Sequence, residues 1–236
     1  MAERIESLIT SQQRLSQDVS HELRSPLARM NVALEIAKQR SNGASAAALA
    51  RIEKESGQLN EMISRLLTLT RLESGAEKFE SQDVDLTGLL EHIAADADFE
   101  ANAKGRSVKI VSMDACRISG SESLIKSAVE NVLRNAVKYT AEGTAVEVAL
   151  RRAGGRAQLT VRDFGGGVPE NELDKLFQPF YRVSESRERK TGGIGLGLAI
   201  AERAIKAHKG SIAARNSDGG LTVTIELECR TAQAKI

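Results

Sequence analysis

The sequence predicts a multidomain fold in two parts: an all-α helical hairpin that pairs with a second copy into a dimeric four-helix bundle, then an α+β two-layer sandwich. Three observations predict it. Apolar residues recur three and four apart through about the first seventy positions. A polar stretch near Ala76 to Gln82 ends that pattern. Beyond it, helix-like and alternating segments intermix without the regular alternation of a doubly wound fold. The reading divides the chain into a domain over 1–76, a linker over 77–82 and a domain over 83–236.

The first helix spans Ala2 to about Gln39, where Ile5, Leu8, Leu15, Val19, Leu23, Met30, Leu34 and Ala37 mark one face. Arg40 to Ser45 reads as a turn, with Ser45 as N-cap. The second helix carries a heptad through Leu49, Ile52, Ser56, Leu59, Ile63, Leu66 and Thr70 and ends near Ser74 and Gly75. A hairpin with one apolar stripe needs a further surface, and a second hairpin supplies it. The alternative is packing of one hairpin on its own C-terminal domain.

In the second part, Asp85 caps a helix from about Leu86 to Ala103, and strand-like runs follow at Val108 to Met113 and Arg117 to Ser119. A helix runs from about Glu122 to Val137. Val146 to Leu150 and Gln158 to Val161 flank a Gly154–Gly155 turn and read as a hairpin. A helix near Gly195 to His208 and strands at Ser211 to Ala214 and Leu221 to Glu226 close the chain.

With 41% hydrophobic and 28% charged residues, the 236-residue chain can bury a core, which excludes disorder as the default. Lys and Arg number 33 against 32 Asp and Glu, so no basic field points to nucleic acid or an acidic membrane. Cys116 and Cys229 show neither metal-ligand nor redox-motif spacing and read as separate small residues suited to a reducing cytosol. No stretch approaches the roughly 20 apolar residues that span a bilayer, so the expectation is a soluble polypeptide.

Four segments carry chemistry. In Asp18-Val19-Ser20-His21-Glu22-Leu23-Arg24-Ser25-Pro26-Leu27, packing of Val19 and Leu23 turns His21 toward solvent, where a neutral imidazole can act as nucleophile. Glu22 adjoins it, Ser25 lies one turn on, and Pro26 bends the helix. Alone, such a histidine is a solvated side chain. In Asn131-Val132-Leu133-Arg134-Asn135-Ala136-Val137-Lys138-Tyr139-Thr140 the two asparagines share a face, and their amide oxygens suit a Mg²⁺ held mainly through phosphates. The competing reading is the wet face of an amphipathic helix.

Asp163-Phe164-Gly165-Gly166-Gly167-Val168-Pro169 follows a strand; a carboxylate there accepts from an exocyclic amine, and the glycines let backbone approach a ligand. An ordinary turn explains the same residues. Thr191-Gly192-Gly193-Ile194-Gly195-Leu196-Gly197-Leu198 runs into a helix whose N-terminus favours phosphate. A dinucleotide-binding turn fails there for want of a βαβ unit.

In this order the segments resemble the phosphoacceptor, N, G1 and G2 boxes of sensor histidine kinases, over about Ile5 to Leu227. The resemblance implies a sandwich of the type shared with DNA gyrase. It implies that His21 is phosphorylated with Glu22 as its base, and that Ser25, where the family commonly has Thr or Asn, serves dephosphorylation of the partner. It implies ATP and Mg²⁺ as cofactors. Asn135 is then the metal ligand supported by Asn131, Lys138 contacts phosphate, Tyr139 lies against the nucleotide and Asp163 reads adenine. Gly165, Gly167, Gly193, Gly195, Gly197 and Leu198 line the nucleotide.

Leu176 to Arg182 resembles the F box: Phe177 and Phe180 anchor a lid over Ser184 to Lys190, Arg182 faces the phosphoryl group, and Arg187 and Arg189 stay solvated. The family often has Asn at Phe164 and Pro at Gly166, so this loop departs from the pattern. Asn131 stands where gyrase relatives place a water-activating glutamate, which favours transfer to histidine over hydrolysis. The implied partners are a second copy and a response regulator receiver domain, with no nucleic acid. Membrane contact comes only through N-terminal segments outside this sequence, which makes this a cytoplasmic core of an inner-membrane protein. A gyrase-like ATPase and a non-catalytic dimeric scaffold are the alternatives.

Overall fold

The computed structural model describes residues 27–37, 44–73, 80–183 and 194–230. It divides into two compact units, Met1–Leu67 and Thr68–Ile236.

In the first unit, residues 27–37 form helix α1 and Ala44–Glu73 forms α2, whose last turns belong to the second unit. Ala44 is already helical, so Ser45 lies inside the first turn and is not the expected N-cap. The two helices are joined by Arg29, whose Nε and Nη2 donate to Glu55 Oε1 and Oε2 at 2.8 and 2.9 Å. Glu55 is buried. The hydrogen bonds from Arg29 hold its carboxyl below the usual carboxylate range.

Within the single chain a second series, one residue before the expected heptad, takes the inward positions. Ala48, Glu55, Met62 and Leu69 are buried at intervals of seven, whereas Leu49 and Ile63 are 56% and 46% exposed. Ile52, Leu59 and Leu66 fit both registers, and an alanine and a glutamate carry no apolar signal; the Arg29 partnership is what lets Glu55 occupy an inward position. The seam through Leu49 and Ile63 is thus a second apolar stripe on α2.

The second unit runs β1 (Gln82–Asp85), α3 (Leu86–Asn102), β2 (Ser107–Met113), β3 (Arg117–Gly120), α4 (Glu122–Tyr139), β4 (Ala145–Ala153), β5 (Arg156–Arg162), a 3₁₀ helix (Glu170–Phe177), α5 (Gly197–Ala207), β6 (Ser211–Ser217) and β7 (Gly220–Glu228). The main sheet has the order β2-β4-β5-β7-β6, with β2 and β4 parallel and the other pairs antiparallel. Inward residues such as Val146, Val148, Leu159, Val161 and Ile225 form one core with Leu90, Ile125, Val129, Leu133 and Ile205 of the helices. Helices on a mixed sheet make the expected two-layer α+β sandwich.

Asp85 caps α3 as expected, accepting from Gly88 N at 3.2 Å. The Gly154–Gly155 turn has φ of 57° and 78°, the doubly positive pair a two-residue hairpin requires. Strand β1 was not expected: with Val84 alone buried it has no alternating signal, and pairing with β3 makes it a strand.

His208, just after α5, joins two helices. Its Nδ1 bonds the Ala204 carbonyl at 2.7 Å and so carries the proton, and its Nε2 accepts from Ser121 N at 2.9 Å at the start of α4. Burial lowers its pKa, consistent with a neutral ring.

Cys116 and Cys229 form a disulfide with Cα atoms 6.2 Å apart. This corrects the reading of two separate cysteines; a separation of 113 residues hides the pairing, which the sheet topology creates.

Candidate nucleotide site

Helix α4 is the floor of the candidate site. It extends two residues past the expected end, so Lys138 and Tyr139 are helical. Arg106 holds that end, Nη1 donating to the Val137 and Lys138 carbonyls at 2.9 and 3.1 Å, which satisfies two of the carbonyls a helix leaves unpaired. Lys138 Nζ donates to Tyr139 Oη at 3.0 Å. Thr140, fully buried, follows; its Oγ1 accepts from Phe164 N at 3.1 Å and shares a hydrogen bond with Thr144 Oγ1.

That bond ties α4 to the loop after β5. Asp163 is 4% exposed, and its Oδ1 accepts from Gly165 N at 2.9 Å and Leu221 N at 3.2 Å. Among the described residues nothing donates to its Oδ2. Burial pushes the carboxyl's pKa up, partly opposed by those two backbone bonds. The loop admits no side chain at Gly165, where a Cβ would stand 2.4 Å from the Tyr139 carbonyl oxygen. Gly167 has φ of 74° and faces Asn216, whose Oδ1 accepts from Val168 N and whose Nδ2 donates to the Val168 carbonyl and Glu170 Oε1. Phe164 lies under the Arg162 guanidinium at 4.6 Å.

About two turns back along α4, Asn131 donates to the Ser127 carbonyl at 2.8 Å. Its Oδ1 faces Gly197, the first residue of α5, where a Cβ would come within 3.0 Å. Asn135 lies between the two contacts, half-buried, and its amide makes no hydrogen bond among the described residues. Gly195 (φ 75°) accepts from Phe180 N at 3.0 Å, and Phe180 itself adopts φ of 63°. Tyr181 Oη donates to Glu172, which pushes the phenol up to about 12. These bonds fix the turn that precedes Arg182. The Leu198 side chain is buried in the core, so only its backbone N–H at the start of α5 is left for a ligand.

The asparagine helix, the Asp163 loop and the Gly195–Gly197 segment therefore meet. Asn131 and Tyr139 are about 12 Å apart along α4. His21, Glu22, Ser25, Gly193 and the Ser184 to Lys190 segment lie outside the described residues. Thr140, Asn216, Arg106 and Gly220, where a Cβ would sit 1.7 Å from the Asp163 carbonyl oxygen, also shape the site and are not among the residues the sequence singles out. Gly219-Gly220 carries a turn signal; the other three carry none, because partners far away in the sequence define them.

Residues 11–75 match the His Kinase A (phospho-acceptor) domain, and residues 120–231 match the Histidine kinase-, DNA gyrase B-, and HSP90-like ATPase family. The chain is 37% identical over 229 residues to the sensor histidine kinase CpxA of Escherichia coli strain K12, covering 96% of this chain and 49% of that protein. It is 34% identical over 212 residues to the signal transduction histidine-protein kinase BaeS of the same strain, covering 89% and 45%. The chain spans about half the length of these curated relatives. Among solved structures, full-length ShkA in complex with AMPPNP is similar at a TM-score of 0.69 and 27% identity, covering 95% of this chain and 47% of that one. Histidine kinase ThkA in complex with response regulator TrrA is similar in fold at a TM-score of 0.70 and 20% identity, covering 98% and 67%.

Proposed function

Because this chain belongs to the sensor histidine kinase family, we propose that it is a kinase core that moves the γ-phosphoryl group of ATP to His21 and then to an aspartate in a response regulator receiver domain. The observation that carries the nucleotide reading is the buried Asp163 carboxylate, fixed through one oxygen with the other uncommitted, beside a glycine loop with no room for a Cβ at Gly165. Oδ2 accepts the exocyclic amine of adenine there. The residues also fit a Mg²⁺–triphosphate: Asn135 has an uncommitted amide, and α5 opens with Gly197 and Leu198 amides that no helical carbonyl takes. Asn135 would hold Mg²⁺, which would supply charge neutralisation. The AMPPNP complex of ShkA supports the nucleotide class, and the ThkA complex with TrrA supports the partner.

Each group then has a task. Asp163, Gly165, Gly167 and Tyr139 hold the base, Lys138 and Arg182 face phosphate, and the backbone at Gly193, Gly195, Gly197 and Leu198 cradles it. Glu22 takes the proton of His21 as its imidazole attacks in line, so positioning and charge neutralisation supply most of the rate. Asn131, an amide committed to Ser127, cannot act as a base toward water, which disfavours hydrolysis. Ser25 positions water for dephosphorylation of the partner. The phosphotransfer domain over 1–76 and the ATP domain over 83–236 flank a linker at 77–82.

A homodimer is supported by the second apolar stripe of α2. Among the described residues no helix is long and apolar enough to cross a membrane; we place this core at the cytoplasmic face of the bacterial inner membrane, attached through segments outside this sequence.

Incubation with γ-labelled ATP tests the reading. Acid-labile, base-stable label is expected on the parent chain and at least 100-fold less on His21→Ala. Undiminished label on that variant overturns the acceptor assignment.

A further inference from the structure

Outside the nucleotide site, one pair of reactive groups has no part in the proposed phosphoryl chemistry. Cys116 and Cys229 are joined across the seam between the two-stranded β1–β3 sheet and the main sheet. Backbone contacts that do not involve sulfur place both residues. Cys116 O accepts from Leu86 N at 3.1 Å, and Cys116 N donates to Thr87 Oγ1 at 2.9 Å, which fastens it to the first turn of α3. Cys229 N donates to the Gly155 carbonyl at 2.9 Å, Cys229 bridges Ile118, and Arg230 N donates to the Arg117 carbonyl at 2.8 Å. The Cα separation of 6.2 Å, within the range a disulfide accepts, is thus built into the fold and persists when the sulfurs are thiols.

The two residues differ in exposure. Cys116 is 3% exposed, while Cys229 is partly exposed at the end of β7. Exchange needs a thiolate to reach a sulfur along the S–S axis, so the more exposed residue, Cys229, is the one offered to an attacker from solution. Arg117 and Arg230, each following a cysteine, converge with Asp83 at 3.1 and 3.4 Å, so the residues next in sequence to both cysteines are tied together by one carboxylate.

We propose that Cys229 is a thiol–disulfide exchange site for a low-molecular-weight thiol and its disulfide, with Cys116 as the resolving residue. In reduction, the thiolate of the small thiol attacks Cys229 Sγ, the Cys116–Cys229 bond breaks, and Cys116 leaves as a thiolate that takes a proton. A second small thiol then attacks the sulfur of the first, freeing Cys229 and giving the small disulfide. The sum is protein disulfide plus two thiols to protein dithiol plus one disulfide. In oxidation the Cys229 thiolate attacks the small disulfide and expels one thiolate; Cys116 then attacks Cys229 Sγ and expels the other. The bond closes a chain segment of 113 residues, so its loss frees the unfolded chain and lowers the thermal midpoint of the ATP domain by about 10 °C.

The test equilibrates the intact chain with glutathione and glutathione disulfide at a series of ratios, quenches with acid, alkylates and maps peptides by mass. The expected result is one two-electron transition between a Cys116–Cys229 linked peptide and two alkylated cysteines, reached from both directions in native buffer. Cys116→Ser should hold one glutathione on Cys229, while Cys229→Ser should leave Cys116 unmodified until the chain is unfolded. If Cys116→Ser folds poorly, Cys116→Ala serves. A link that glutathione cannot reduce in the native chain makes it a fixed staple and overturns the proposal, as do thiols that stay unlinked at every ratio. Equal modification of Cys116 in native Cys229→Ser overturns the order of attack. None of these readouts depends on kinase activity, so the proposal and the kinase reading fail separately.

Discussion

The two units solve the burial problem differently. The sandwich closes its apolar surface on itself: β-strand and helix residues from Val84 to Leu227 share one core, and loop ends are fastened by the buried Thr140 and the half-buried Asn216. The hairpin has a narrow inner seam of Ala48, Met62 and an ion-paired Glu55, and it leaves Val32, Leu34, Leu49 and Ile63 exposed. A half-closed surface is stable only with company, and it can be rearranged at low energy. A finished core serves for gripping a ligand in fixed geometry; an unfinished one serves for association and movement.

The largest test strikes the finished half. Gly220→Ala forces a Cβ onto the Asp163 carbonyl, where only backbone can give way, so we expect the ATP domain to lose about 3 kcal/mol, or roughly 6–12 °C of midpoint in a thermal scan. A midpoint within about 1 °C of the parent, a shift of roughly 0.5 kcal/mol or less, would show that this core has more slack than the contrast allows.

Glutamates at Leu49 and Ile63 probe the open half. We expect the dimer, followed by sedimentation, to weaken by about 100-fold or more. The unfolding of the ATP domain should stay within about 0.5 kcal/mol. An unchanged dimer would place the interface elsewhere.

The smallest effect on folding separates ligand from structure. In Asp163→Asn the amide oxygen can still accept from Gly165 and Leu221, but its nitrogen would meet the proposed adenine amine donor to donor, so nucleotide affinity should fall about 10- to 100-fold by calorimetry. The sign of its pH effect follows from the raised pKa. The folded chain holds this proton more tightly than the unfolded chain, so stability falls as pH rises from the ordinary carboxylate value through the raised one, and the cost of the buried charge stands in full above it. The variant carries no such charge; its ligand-free midpoint should equal or exceed the parent's at neutral pH, and the gap should close toward acid. A large loss of stability at neutral pH would count against the burial argument.

How far the sequence could be read follows the same division. In the sandwich, strand alternation and the Gly154–Gly155 turn are local, and the elements stood within a few residues of their observed limits. Asn135, Asp163 and Gly197 stand out as candidates in the sequence because their segments are short and follow one another in a set order. Thr140, Asn216 and Gly220 do not, because a threonine that receives Phe164 N, or an asparagine that clasps Val168 from 48 residues away, is defined by strand pairing rather than by neighbours. The cysteine pair was hidden for the same reason. In the hairpin, Ile52, Leu59 and Leu66 belong to two heptad frames at once, and choosing between them needed the knowledge that Arg29 would neutralise Glu55.

Helix α4 also acts as a gauge block. It touches the Gly197 segment at Asn131 and the Gly165 loop at Tyr139, so the spacing and relative angle of those two glycine segments are written in the number of residues between them. Inserting or deleting one residue there would swing one end by about 100° against the other and shift it by about 1.5 Å. The exposed Arg134 can be exchanged without disturbing that spacing, but the stretch cannot change length.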